Sequence, residues 1–288
     1  MAPDELAPAF GLYLPQVTWD YRKLLTMARA AEGCGFSAVW FMDHLALLGT
    51  GAPVLEGWTL ACAIAAATSR IRVGHLVLCD SFRHPVLLGH MAATLDHISG
   101  GRLNLGLGWG SSPADLRLLG HGEDPASLRA RRLAESIGTI RTVMAHAGHE
   151  RVPLYVGGAS ERTMDLVREH ADWWNCPAMA RHRLARLVPQ TGNARISANY
   201  SIAFSARPGG MLGPGGMLGP ARQAGSGYQL VGPADRIAHV LCADRKLGVD
   251  HFVIQLTDPA ATRSDLEYFM TEIAPAVRGA SRDYRPAP

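Results

Sequence analysis

Lysine is nearly missing from this chain of 288 residues: Lys23 and Lys246 are the only two, and arginine supplies the rest of the 28 basic side chains. Against 25 acidic residues the net charge is +3, too small for the basic stripe that a nucleic-acid binder presents. No apolar run reaches the roughly 20 residues that a membrane-spanning helix needs, and even Leu60 to Ala67 is short. The opening MAPDELAP lacks a basic-then-apolar leader pattern. The five cysteines are odd in number, scattered and without a C-x-x-C. A disulfide framework is therefore not signalled, and free, mostly buried thiols in a reducing cytoplasm are expected. G-x-S-x-G, H-E-x-x-H and a P-loop are missing too. His146 and His149 stand three apart with no carboxylate pattern around them, so serine-nucleophile, zinc and nucleotide-hydrolysis chemistries lack a motif.

What is present is alternation. Apolar runs at Phe10–Leu14, Ala38–Met42, Ile71–Leu78, Leu103–Leu107, Leu154–Val156, Trp173–Cys176, Ile196–Phe204 and His251–Leu256 read as strands. Between them lie helical patterns at Tyr21–Gly35, Trp58–Ala67, Val86–Ile98, Leu128–Met144, Thr163–His170, Arg183–Val188 and Ala234–Leu247, with a last one at Ser264–Ile273. Eight strands separated by helices over this length predict a (β/α)8 TIM barrel as one domain spanning residues 1–288, with an open doubly wound sheet as the alternative. GGMLGP at 209–214 repeats at 215–220, inside a Gly/Pro-rich stretch of about 205–227 that cannot be helix interior or central strand. A flexible lid and a neutral six-residue duplication both account for it, the duplication being favoured because insertions collect in such loops.

The stretch NLGLGWG places Gly106, Gly108 and Gly110 at alternate positions after an apolar run. A dinucleotide fingerprint needs G-x-G-x-x-G at the first strand-to-helix turn, and here the third glycine comes one residue early on the fourth strand. No NAD(P) site is signalled. Two readings remain: room for a flat ring to approach the backbone at a strand end, or a strand bulge and tight interior packing.

SGGRLNLGLGWG with DLRLLG resembles the bacterial luciferase-like flavin monooxygenases, and the resemblance runs along nearly the whole chain. FMDH (41–44), LEGWTLACAIAAATSRIRVG (55–74), FRHPVLLGHMAATLDHISGGR (82–102), PLYVGGAS (153–160), LVGPADRIAHVLCADRKLGVDHFVI (230–254) and EIAPAVR (272–278) follow in the family's order. The departures are a short AHAGHERVP where the family usually carries an insertion, and Trp109. The luciferase catalytic chain has arginine at that place, and the deazaflavin-dependent glucose-phosphate dehydrogenases have glutamate.

The resemblance implies a luciferase-like TIM barrel binding reduced FMN at the carboxyl ends of its strands. It implies oxidation of a small organic substrate by molecular oxygen, a separate NAD(P)H:flavin reductase, and a cytoplasmic homodimer packed through the alanine-rich helix around Cys62. His44 is the expected catalytic proton carrier, with Asp43 as a candidate to orient it; a rim histidine with a purely structural hydrogen bond is the alternative. Leu76–Val77 aligns with a non-proline cis peptide bond beneath the flavin, Gly108 and Trp109 lie beside the ring, and Trp109 stacks on it or excludes water. Gly157, Gly158, Ala159, Ser160 and Thr163 form the expected phosphate loop, in which Ser160 caps the helix or meets the phosphate. Arg131 is the expected arginine to the phosphate, with Arg129 and Arg132 as neighbours in competition. The same superfamily implies two other functions: a deazaflavin (factor 420)-dependent hydride-transfer reductase, and a non-catalytic flavin-binding or partner subunit.

Overall fold

Strand and helix alternate from Ala9 onward in the computed structural model, which describes residues 7–17, 20–45, 54–122, 124–205 and 229–284. In chain order these are β1 (Ala9–Tyr13), α1 (Tyr21–Cys34), β2 (Ala38–Phe41), α2 (Gly57–Ala66), β3 (Arg72–His75), β4 (Leu78–Cys79), α3 (Pro85–Ser99), β5 (Leu103–Gly108), α4 (Pro113–Leu118) and α5 (Ala126–His146). They continue with β6 (Leu154–Gly157), α6 (Glu161–His170), β7 (Trp173–Cys176), α7 (Leu184–Leu187), β8 (Arg195–Phe204), β9 (Gln229–Gly232), α8 (Ala234–Lys246), β10 (Val249–Leu256), α9 (Arg263–Tyr268) and α10 (Ala274–Gly279). Side-chain caps start several helices: Asp20 accepts from Lys23 N at 3.0 Å, and Ser112 and Ser160 do the same for α4 and α6.

The open-sheet alternative fails at β10. It pairs in parallel with β8 on one side and with β1 on the other, so the ring β1–β2–β3–β5–β6–β7–β8–β10 closes on itself with eight parallel positions. This is the (β/α)8 barrel. The expected strand Ile71–Leu78 is two pieces: β3 and β4 are separated by the cis peptide bond Leu76–Val77, and both pair with β5. β9 is an additional strand laid beside the far end of β8, from Ser201↔Gln229 to Phe204↔Gly232. The expected last helix runs further, through a π-turn at Phe269–Ile273 into α10. The repeated GGMLGP lies outside the described residues.

The apolar side chains fall into two compartments. The larger lies between the outer faces of the strands and the helices, where Phe10, Leu12, Val39, Phe41, Ile64, Leu133, Ile137, Met164, Phe252 and Phe269 are all buried. The smaller fills the barrel's inside: Ala38, Trp40, Leu76, Tyr155 and Val253, with Trp173 against them. There Trp40 meets Tyr155 edge-on at 4.8 Å between centroids, and Tyr155 stacks on Trp173 at 5.2 Å. Tyr155 and Trp173 stand in the amino-terminal half of β6 and β7, and the Trp40 ring, from the third residue of β2, packs onto Tyr155. The carboxyl half is left for something else.

Candidate functional site

A cavity of about 500 Å³ opens at the carboxyl ends of the strands. Its floor and one wall are Leu76, Val77, Gly108 and Gly157. The segment after β2 brings Met42, Asp43 and His44, the turn after β5 brings Trp109 to Ser112, and the loop after β6 brings Gly158 to Ser160. Of the residues expected from sequence, His44, Leu76, Val77, Gly108, Trp109, Gly157, Gly158, Ala159 and Ser160 all line this one space, although they are spread over more than a hundred residues of chain.

The glycines have a steric cause. A Cβ on Gly106 would stand 1.9 Å from the His75 carbonyl oxygen, and one on Gly108 would stand 2.6 Å from Val77 Cγ2. One on Gly157 would stand 2.7 Å from Val77 Cγ1. The missing side chains therefore make room for the segment between β3 and β4, and Val77 nests between Gly108 and Gly157. Bulge packing accounts for all three, and Gly108 and Gly157, on either side of Val77, also line the cavity.

His44 is not oriented by Asp43. The Asp43 carboxylate is buried and fully engaged, accepting from Cys79 N at 2.8 Å and from both terminal nitrogens of Arg83 at 2.7 and 2.8 Å. His44 Nδ1–H instead donates to Asp115 Oδ2 at 2.7 Å. A carboxylate only accepts, so this bond keeps the proton on Nδ1 and leaves Nε2 as the acceptor nitrogen of the ring. Asp115 is 1% exposed while the His44 side chain is 34% exposed: an anchored acid behind a reachable imidazole. The two residues lie 71 positions apart, so periodicity could not pair them. A signal existed locally in S-P-A-D, residues 112–115, the start signature of a helix, which α4 obeys with Pro113 at its first turn and Ser112 Oγ accepting from Asp115 N at 3.2 Å.

Trp109 is held from behind by Arg129, whose Nη1 donates to the Gly110 carbonyl at 2.7 Å and the Trp109 carbonyl at 3.4 Å. Arg131, the expected phosphate arginine, points away: its side chain is 70% exposed and faces Glu135 at 3.8 Å, and it does not line the cavity. On a helix a shift of two positions is more than half a turn, so only one of Arg129 and Arg131 can face the barrel. Cys79 also lines the cavity, and burial pushes its thiol up to about 12, so it stays protonated.

The loop after β6 is built like an anion cradle. Gly158 has φ +132°, a conformation that favours glycine, and a Cβ there would meet Thr163 Oγ1 at 2.9 Å. Trp174 Nε1 donates to the Gly158 carbonyl at 2.7 Å and Gly158 N donates to the Asn175 carbonyl at 3.2 Å, so the peptide units on either side of Gly158 are both held. Ser160 caps α6 by accepting from Thr163 N at 3.2 Å, and its hydroxyl also meets Thr163 Oγ1 at 2.9 Å. Thr163 is 2% exposed and sits behind the loop, supporting it without lining the cavity. The first-turn amides of Glu161 and Arg162 have no acceptor within the helix. A glycine-thinned loop leading into the amino end of a ten-residue helix suits a phosphate, and Val77 flanked by Gly108 and Gly157 suits a flat ring, so the residues fit a flavin. The sequence reading missed Asn175, Asn199, His182 and Arg183, which complete the wall and rim. The asparagines did leave a trace: asparagine is depleted in strands, and here it recurs at inward positions of β7 and β8.

The sequence profile of luciferase-like monooxygenases matches residues 7–200. The 4-hydroxyprotoasukamycin monooxygenase of Streptomyces nodosus subsp. asukaensis is 36% identical over 121 residues, which are 42% of this chain and 31% of that protein, so the chain matches about a third of that relative's length. A solved F420-dependent secondary alcohol dehydrogenase, in complex with an F420-acetone adduct, superposes with a TM-score of 0.78 at 16% identity, covering 94% of this chain and 99% of its own. The oxygenating constituent of the 3,6-diketocamphane monooxygenase of Pseudomonas putida, in complex with FMN, superposes with a TM-score of 0.70 at 17% identity, covering 94% and 99%. At such identities the two structures share the barrel fold with this chain and nothing finer. The profile, by contrast, covers most of the sequence, including His44, the Gly106–Gly110 strand end and the loop after β6, and on that ground this chain belongs to the luciferase-like monooxygenase family.

Proposed function

We propose that this chain is a flavin-dependent monooxygenase, a single barrel domain that oxidises a small organic substrate with reduced FMN and molecular oxygen. The observation that carries the reading is convergence on one cavity. The glycine loop leading into α6, the apolar floor at Leu76 and Val77, and the His44–Asp115 pair all bound the same 500 Å³. Reduced flavin, when bound, supplies the electrons and the oxygen chemistry. The chain's own residues do the rest. Amides of Ala159 and Ser160 and of the first turn of α6 hold the phosphate, with Thr163 bracing Ser160. Leu76, Val77 and Gly108 bear the ring. Asp115 keeps the His44 Nδ1 proton in place so that Nε2 takes or returns a proton at the substrate. Trp109, fixed by Arg129, keeps water out. A separate NAD(P)H:flavin reductase supplies the reduced cofactor, consistent with a sequence lacking a dinucleotide fingerprint. The chain works as a cytoplasmic homodimer, a reading supported by the exposed apolar Val86, Leu87 and Ile98 on α3, a helix that packs against the alanine-rich α2. Among the described residues no helix is long and apolar enough to cross a membrane.

One observation favours a second reading. Arg183 and His182 stand at the cavity rim beside the phosphate loop, where a deazaflavin (factor 420) with an acidic tail would find cationic partners. The hydride-transfer reductase built on that cofactor is the alternative. Anaerobic fluorescence titration with reduced FMN and with the reduced deazaflavin separates the two. Micromolar or tighter binding of reduced FMN is the expected result. Tight binding of the deazaflavin alone would transfer the assignment to the reductase, and binding of neither would make the chain a partner subunit.

A further inference from the structure

A second cavity, of about 150 Å³, lies outside the barrel wall, between the strands and the carboxyl half of α5. Leu105 and Leu107 of β5 and Leu154 of β6 form its inner wall, and Ile140 and Met144 of α5 form its outer one. All five are buried. Side chains alternate along a strand, so Leu105 and Leu107 face the helix layer while Gly108 lines the cavity inside the barrel. The two spaces therefore lie on opposite sides of β5. Polar groups gather only at the mouth of the second one, where Arg141 and Glu150 are exposed and His149 is half-buried. Arg141 Nη2 donates to the His170 carbonyl at 2.8 Å and to Asp172 Oδ2 at 3.3 Å, and His149 Nδ1–H donates to Asp96 Oδ2 at 2.8 Å. Both side chains are tethered at the edge by these bonds. Protein interiors hold few voids larger than a water molecule. One of this size with aliphatic walls binds water poorly and admits a guest of about the size of benzene.

We propose that this cavity is a second small-molecule site, which takes a compact apolar molecule the size of a single six-membered ring, with its body against Leu105, Leu154 and Met144 and any polar substituent at the mouth beside Arg141 and His149. The driving force is the removal of apolar surface from water into a space that is already open, so the chain pays little to rearrange. The site is independent of the flavin reading: it lies on the other face of the barrel wall and needs no cofactor.

The test is a titration of the whole chain with toluene, followed by nuclear magnetic resonance of isotope-labelled methionine methyl groups. Met144 lines this cavity, whereas Met42 and Met179 line the one at the carboxyl ends of the strands, so the resonance that moves reports where the ring sits. Met144→Leu, a swap at nearly constant volume, identifies the Met144 signal. A saturable shift of Met144 is expected, with a dissociation constant of about 1 mM or tighter. A shift confined to Met42 or Met179, or no saturable shift up to the solubility of toluene, overturns the proposal. p-Cresol carries a hydroxyl opposite the same methyl group, and it is expected to bind no more than about fivefold more weakly, because that hydroxyl stays in the wet mouth. A larger loss means that the hydroxyl is buried without a partner, and it overturns the orientation proposed. Leu154→Phe places a ring of the chain's own in the cavity and is expected to abolish the Met144 response; a response that persists in the folded variant overturns the site. Should that variant fail to fold, the Met144 response of the unmodified chain decides.

Discussion

The two ends of the barrel's interior use the same eight strands to opposite purposes. Toward the amino-terminal end large rings pack on one another: Trp40 is fully buried against Tyr155 and His251, and Trp173 packs on both of these. In the carboxyl half the inward positions carry glycines, asparagines and short apolar side chains, and a cavity of about 500 Å³ remains. The plug below gives the barrel its rigidity, and the thinned mouth above gives it a site. A barrel enzyme can vary its mouth without losing its fold because the two layers are separate.

The largest expected effect breaks the lower half. Trp40→Ala removes a fully buried indole from between Tyr155, His251 and Val253. The lost contacts and the remaining hole should cost about 3–5 kcal/mol, read from urea or thermal unfolding. If the two layers are separate, protein that stays folded keeps its affinity for reduced flavin. A loss of less than about 1 kcal/mol would mean that the plug is not what holds the barrel.

A pH series probes two buried histidines on opposite sides of the barrel wall. His251 is fully enclosed, and burial first, then the positive charges of Arg195 and Arg72, depress it to about 3. His75, stacked on Trp58 outside the barrel wall, is lowered for the same leading reason. A histidine whose folded pKa lies below its unfolded value binds a proton more readily once unfolded. Stability should therefore be undiminished above about pH 6.5 and should fall as pH drops toward 3, with a slope of up to about 1.4 kcal/mol per pH unit from His251. In His251→Leu that share of the slope should be missing. An unchanged slope would show that His251 is reached by protons in the folded state, and that the plug is wetter than its packing implies.

Much of this was legible in the sequence, for identifiable reasons. Amphipathic and apolar periods set out eight strands and their helices, because a strand buried on both faces and a helix buried on one leave different spacings. What escaped was either local chemistry overridden by a cap or a contact between distant residues. Pro113 reads as a helix breaker, yet at the first turn it starts α4 behind the Ser112 cap. β9 follows a glycine-rich stretch and depends on pairing with β8, which no local pattern announces. The motif brings His44 to the site, but Asp43, the adjacent candidate to orient it, is engaged elsewhere and the acid comes from α4. The choice of Arg131 over Arg129 turned on helical phase, which a run of arginines at 129, 131 and 132 does not display.

The smallest effects test whether the mouth is as finely fitted as the plug. Gly157→Ala adds one methyl group whose carbon would stand 2.7 Å from Val77 Cγ1. Val77 must give way, and the direction open to it is the cavity, because Gly108 closes on it from the other side. Affinity for reduced FMN should fall by about tenfold, near 1.4 kcal/mol, with a stability loss of about 1–3 kcal/mol from overpacking. Arg131→Ala is the control: exposed and paired only with Glu135 across 3.8 Å, it should change neither stability by more than about 0.5 kcal/mol nor flavin affinity by more than about twofold. If instead Arg131→Ala weakens flavin binding and Gly157→Ala does not, then the cofactor's phosphate lies nearer α5 than α6. The layer of glycines around Val77 would then serve packing alone, as the aromatic layer beneath it does.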